Sequence, residues 1–342
     1  MEGMEKLILI KYGLQRKYVK MYLKFYKEHY KDSIFLKENL HKLKKDLARK
    51  NPYYKENRIQ NFLVLKNKKV VGHITAIIDR NFFKRDRTGI IGFFDCTDNI
   101  KISEKLFSSA REYLKENGCK QIAGPINLSI WNNYRLSLKT QKFSFEPLTK
   151  TYYERLFLKN NFKTSEEYYT AIRTKLDLII NPTRKSYEAL VAEGFNFRRI
   201  TLKRLNKDLE TIYRLSKEIF FKGKYYSDIN FKEFKYFLKR KISLNKLRLA
   251  HIVFDKDKRP IGFCYSFAEN KKTLVLKTIG ILPKYQNRGI GAALLYLHHK
   301  TAKQKGFSKI IYALIREENK IKNLPYPGAK IIQNYRTYES KV

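Results

Sequence analysis
Two stretches of the chain run through apolar segments and short polar turns in the same order. In the C-terminal stretch, residues 247–254 form an apolar strand-like run, 255–259 a charged turn, and 260–267 a second apolar run. A third run follows at 273–282, then a loop, then an amphipathic helix expected from Gly291 to Lys305. Gly306 suits the C-cap of that helix, and residues 309–315 read as a strand buried on both faces. The N-terminal stretch repeats this order. Residues 62–65 and 70–78 form a strand pair about Lys66-Asn67-Lys68-Lys69, and 90–94 is the third strand. A helix is expected from Ser103, as its N-cap, to Asn117, with Gly118 as its stop and a strand at 121–126 beyond it.

Glycines at matching places are offset by nearly the same amount, 262 − 72 = 190 and 306 − 118 = 188. A period this long predicts tandem domains rather than a solenoid, and the length of 342 residues agrees. The expected boundary lies in residues 178–184, because Pro182 disfavours helix at Asn181. This sets domains at 1–182 and 183–342, with a short connecting helix from Tyr187 ending at Gly194. Residues 207–244 read as helices whose Ile212, Leu215, Ile219, Phe231, Phe234 and Phe237 form core-facing stripes.

The loop after the third C-terminal run carries the strongest chemical signal. It reads Gln286-Asn287-Arg288-Gly289-Ile290-Gly291-Ala292, set between a strand ending at Pro283 and a helix. Glycines let the backbone approach an anion, and the unbonded N–H groups of a first helical turn point at it, which suits a pyrophosphate. Arg288 adds a fixed charge. A dinucleotide fingerprint would want a third glycine where Leu294 stands, and a P-loop would want Gly-Lys-Ser/Thr. An ordinary strand-to-helix turn is the bland alternative.

Strand–strand–strand–loop–helix–strand with Gln-x-x-Gly-x-Gly after the third strand resembles the core of the GNAT N-acyltransferase superfamily, over roughly residues 198–342. The resemblance implies an α/β fold of two tandem GNAT-like domains, each a mixed, mostly antiparallel sheet flanked by helices. It implies acyl-CoA as co-substrate, without a metal, for transfer of an acyl group to an amine. Gln286, Asn287, Arg288, Gly289, Ile290, Gly291 and Ala292 would hold its pyrophosphate, and the backbone of Ile279–Ile281 its pantetheine arm. Asn319 stands seven residues before Tyr326, a spacing that in relatives places a tyrosine to protonate the departing thiolate. Tyr335 and Tyr338, in the closing strand, are the fallbacks. Relatives often carry a basic carboxylate on the strand before the loop. Here that strand offers Lys277 and Thr278, which leaves Glu269 and Asp228 as weak candidates. Tyr225, Tyr226 and Asp228, between the two helices, are candidates for acceptor contact. The first copy has Asp95 and Asp98 and no glycine where a pyrophosphate would lie, so it is expected to shape the acceptor site rather than bind CoA. Residues 124–127, 143–147 and 152–156 also resemble a bacterial family of uncharacterised tandem acetyltransferase-like proteins.

Composition adds one further constraint. Lys and Arg number 73 against 32 Asp and Glu, a formal net charge of +41. Such a surface attracts polyanions. There is no helix-turn-helix, zinc-ligand spacing or aromatic RNA-binding motif, and the cations are dispersed, so nucleic acid is a weaker reading than an acidic peptide or protein acceptor. An acyl carrier protein as donor is the alternative enzyme reading, and a non-catalytic polyanion-binding protein on the same scaffold the alternative from another class. Cys96, Cys119 and Cys264 sit in apolar runs without metal spacing. With no signal-like or membrane-length apolar run, a cytoplasmic location is the expectation.

Overall fold
Residues 58–78 form a hairpin because alternating apolar positions flank a Asn67-Lys68 turn, both residues of which take positive φ. In the computed structural model, which describes residues 6–140, 143–241, 247–317 and 328–342, the chain packs as two units. One comprises Met1–Glu167 with Tyr335–Val342, the other Tyr168–Asn334.

Unit 1 runs β1 (Ile8–Tyr12), α1 (Arg16–His29), α2 (Leu36–Asp46), β2 (Arg58–Lys66), β3 (Lys69–Ile78), α3 (Arg80–Asp86), β4 (Thr88–Cys96), α4 (Ile100–Glu116), β5 (Gln121–Gly124), the short strands β6 (Ile126–Asn127), β7 (Asn133–Tyr134) and β8 (Leu136–Ser137), α5 (Tyr153–Lys159) and the start of β9 (Lys163–Arg173). Its sheet order is β1-β2-β3-β4-β5, closed by the end of the last strand of the chain. Every pair is antiparallel except β4–β5. The helix α4 begins four residues earlier than expected. Asn99, not Ser103, is its N-cap, accepting the Ile102 N–H at 3.2 Å, while the Ser103 hydroxyl turns back to the Ile100 carbonyl. Ile102, Leu106, Phe107, Ala110 and Leu114 form its buried face on the sheet. Burial of each large apolar side chain contributes about 2 kcal/mol. Phe94 stacks on Phe107 at 4.8 Å, and Phe157 meets Phe107 edge-on.

Unit 2 takes the rest of β9, then α6 (Asp177–Ala192), β10 (Asn196–Arg199), α7 (Leu205–Phe220), α8 (Phe231–Lys241), β11 (Leu247–Phe254), β12 (Pro260–Ala268), β13 (Thr273–Ile281), α9 (Ile290–Gln304), β14 (Lys309–Arg316) and the start of β15 (Ala329–Lys341). Its sheet order is β9-β14-β13-β12-β11-β10, with β13–β14 the one parallel pair in that order. The run β11-β12-β13-α9-β14 thus repeats β2-β3-β4-α4-β5, down to the position of the parallel pair. Pro182 does not interrupt the chain as expected: it lies inside α6, so a boundary at residue 182 would cut a helix. It is the sixth residue of α6, so its missing N–H removes one intrahelical bond, the one to the Leu178 carbonyl. The next residue, Thr183, returns its hydroxyl to the Ile179 carbonyl. α6 ends at Gly194, φ +89°, where Phe195 N–H reaches the Leu190 carbonyl.

Candidate functional site
The loop between β13 and α9 presents its amides to solvent. A single 3-10 turn at Pro283–Tyr285 leads into it, and Asn287 and Gly289 take positive φ, 62° and 77°. Gly289 is the N-cap of α9 and no side chain caps that end. The first helical bond in the loop runs from Ala293 N–H to the Gly289 carbonyl, at 2.9 Å. The N–H groups of Ile290, Gly291 and Ala292 therefore have no acceptor within the helix, at the positive end of its dipole. Residues 286–289 are exposed, whereas Ile290 is buried and anchors the turn. Two side chains hold the loop in shape. Tyr285 donates to Asp255 Oδ2 at 2.6 Å, clipping it to the β11–β12 turn, and Gln286 Nε2 donates to the Ile281 carbonyl at 3.1 Å. Arg288 and Lys284 flank the Tyr285 ring, at 5.6 and 5.2 Å from its centre. An uncapped helix end beside two cations offers unbonded N–H groups and positive charge to an anion.

Beside the loop, β13 loses one of its neighbours. Parallel pairing with β14 runs from Thr273↔Lys309 to Leu276↔Tyr312 and stops. From Thr278 to Ile281 the strand pairs with β12 alone among the described residues, beyond a register shift at Lys277 that separates Leu276↔Ser266 from Thr278↔Tyr265. β14 turns off at the same level, where Leu314 takes φ 59° and its N–H goes to the Thr170 hydroxyl at 3.2 Å. The first half of β13 is buried and the second half only partly so. Ile279 and Ile281 thus lie on an open strand edge that an extended ligand could join by backbone hydrogen bonds. Behind it, α7 closes on Gly280, where an added Cβ would come within 3.0 Å of Ile219 Cδ1.

The remaining candidates are scattered. Asn319 and Tyr326 lie outside the described residues. Tyr335 belongs to unit 1, fully buried, with its hydroxyl donated to Glu146. Tyr338 is buried in the same unit and donates to Glu154 Oε1 at 3.1 Å. Tyr225 and Tyr226 are only 4% and 6% exposed, rather than displayed on an open loop. Tyr226 donates to Asp228 Oδ1 at 3.0 Å, and Asp228 also pairs with Lys217 at 2.9 Å. β13 carries no carboxylate, as its sequence states.

Sequence reading missed two polar assemblies. In unit 2, His299 passes its Nδ1 hydrogen to the Leu295 carbonyl at 2.7 Å. Its Nε2 accepts from Tyr312 at 2.6 Å, and Tyr312 in turn accepts from Arg173 Nε at 3.2 Å. Burial lowers His299 to about 4, which keeps it neutral. This seam holds β14 and β9 where β14 parts from β13. In unit 1, Asp95 is 3% exposed and ringed by tyrosines. Tyr22 donates to Oδ2 at 2.5 Å, and Tyr30 and Tyr153 to Oδ1 at 2.6 and 3.4 Å. Burial raises its pKa to about 6 against those hydrogen bonds. The sequence did hold a trace of it: Tyr22, Tyr26 and Tyr30 recur at four-residue spacing along one helix face, and Asp95 is the one charge in a strand buried throughout.

No group of three or more His, Cys, Asp or Glu suited to a metal occurs among the described residues, and no described helix is long and apolar enough to cross a membrane. The three cysteines are buried and unpaired with one another. Residues 209–322, which contain the loop, the open strand edge and α9, match the acetyltransferase (GNAT) family. The chain is 25% identical over 227 residues to the protein YghO of Escherichia coli, over 63% of this chain and 56% of that one, so it spans little more than half of that relative. Among solved structures it is similar to a tandem GNAT protein from the clavulanic acid biosynthesis pathway, with TM-score 0.59, 9% identity and 98% of both chains covered. It is also similar to a probable N-acyltransferase from Enterococcus faecalis, with TM-score 0.60 and 11% identity over 98% of this chain and 72% of that one. Identities this low speak for the fold alone. The chain carries a GNAT-family domain at residues 209–322 and has, over its length, the fold of tandem GNAT proteins.

Proposed function
We propose that this chain is an N-acyltransferase that moves an acyl group from acyl-CoA to an amine acceptor, with unit 2 as the cofactor-binding unit. The observation that carries this reading is an α9 N-terminus without a side-chain cap next to a stretch of β13, Thr278–Ile281, that pairs with β12 alone among the described residues. The amides of Ile290, Gly291 and Ala292, with Arg288, would take the pyrophosphate. The backbone at Ile279–Ile281 would take the arm. Transfer needs a neutral amine at the thioester carbonyl and a proton for the thiolate as the carbon–sulfur bond breaks. Tyr326, with Asn319 seven residues ahead of it, is the candidate acid. With no carboxylate on β13, we assign no base. The acceptor is an amine, and the net charge of +41 favours one borne on an acidic peptide or protein. The test is release of free thiol from acetyl-CoA and longer acyl-CoAs in the presence of amine-bearing peptides, acidic ones included. Acceptor-dependent release that vanishes in Gly289→Asp is expected. Release that is equal in the variant, or absent with every donor, contradicts the proposal.

A further inference from the structure
Unit 1 repeats the strand order of unit 2, but its own chain fills the place where β13 stands open. Pairing of β4 with β5 ends at Ile90↔Ala123, and the chain then turns at Gly124 and Pro125. β6 runs so close to β4 that a Cβ on Gly92 would collide with the Ile126 carbonyl. Asn127 Oδ1 takes the Phe93 N–H at 2.7 Å. What remains open is a small cleft, with a cavity volume of about 60 Å³, between α1, α2 and the end of β4.

We propose that this cleft binds a small primary amine, its ammonium group held by Asp95 and by the aromatic faces of Tyr22, Tyr26, Phe93 and Tyr153. All five side chains line the cleft. Of the Asp95 oxygens, Oδ1 accepts from two phenols and Oδ2 from one, so Oδ2 keeps a second acceptor position. The close donors Tyr22 and Tyr30 hold the carboxylate in one orientation, which lowers the cost of ordering it on binding. Asp46, also 3% exposed, lines the cleft as a second carboxylate. The Asp95 carboxylate and the aromatic faces favour a cation, while Lys150, whose charge also acts on Asp95, stands over the Tyr30 ring at 5.3 Å. Two basic groups line it as well, each turned to a partner: Lys42 to Glu38 at 3.3 Å and the Ser144 carbonyl, and Arg135 over the Tyr134 ring at 3.6 Å. The site is built within unit 1 and does not depend on the CoA reading of unit 2.

The experiment is calorimetric titration and thermal unfolding of the full chain with ethylamine, glycine and glycinamide, each set against its N-acetyl derivative. At least one amine is expected to bind and raise the midpoint, and acetylation should abolish the effect. In Asp95→Asn the affinity should fall about ten- to hundredfold, the weight of one charge-assisted hydrogen bond. Gly289→Asp, in unit 2, should leave it unchanged. No difference between the amines and their N-acetyl forms in the wild type overturns the proposal, and so does binding that survives Asp95→Asn.

Discussion
Gly289 and Gly291 stand two residues apart for different reasons. Gly289 has φ +77°, and its nearest neighbour to an added Cβ is Ser186 at 3.6 Å, so the backbone, not space, demands glycine. Gly291 has ordinary helical φ and only Ile281 Cδ1 nearby, at 3.6 Å, so the fold does not require it. Gly289→Ala should therefore lose about 1 kcal/mol in urea unfolding. Gly291→Ala should lose nothing and, on the proposed reading, still weaken CoA, because the methyl would be added on the first turn that is to take the pyrophosphate. A stability loss in Gly291→Ala would mean that its role is structural. Asp95 gives a second prediction. Its pKa rises on folding from 3.8 to about 6 through burial, so its contribution is fully present below 3.8 and is lost as the pH climbs through 6. Two units correspond to about 3 kcal/mol. Buried histidines act in the opposite sense: His251 and His299, lowered to about 4 by burial, lose their contribution as the pH falls from 6.5 to 4. The difference between wild type and Asp95→Asn isolates the carboxyl. The variant should gain about 3 kcal/mol relative to wild type between pH 4 and pH 7 in urea unfolding. A difference that stays flat would show that the carboxylate is no worse off in the cleft than in water.

At the scale of elements, β10 is tied to α7 by one ion pair. Arg198 donates from Nη2 to Asp208 Oδ1 at 2.6 Å and from Nη1 to Oδ2 at 3.1 Å, with Asp208 buried in the first turn of α7. Truncation leaves an unpaired guanidinium, so Asp208→Ala should cost about 3 kcal/mol, and unchanged thermal unfolding would count against this. The repeated strands, α9 and its loop were legible because apolar period, glycine and turn chemistry agree there. Helix α6 was misread because local preference at Asn181-Pro182 spoke for a break. Burial of Ile179 and Leu190, together with the packing of α6 on α9, outweighs it. The opening of β13 was legible only through the resemblance, which assigned the Ile279–Ile281 backbone to an extended ligand; its local cause, the bend of β14 at Leu314, shows only in the pairing register.

At the scale of the whole molecule, the last strand does not stay with its own half of the sequence. Residues 329–334 belong to unit 2, while Tyr335–Val342 complete unit 1, where Tyr338 pairs with Gly124 and enters the core. A boundary read from sequence could not show this, because strand partners distant in the chain leave no local signal. Removing residues 335–342 strips β5 of its antiparallel neighbour. Hydrogen exchange should then rise across β3, β4 and β5 and leave α9 and β13 protected. Loss of protection confined to unit 2 would contradict the assignment. The central claim is that unit 2 holds acyl-CoA on the α9 N-terminus, and calorimetric titration with acetyl-CoA, a long-chain acyl-CoA and free CoA tests it most directly. One-to-one binding that disappears in Gly289→Asp is the predicted result; no binding by any of the three, or binding undiminished in that variant, would contradict it.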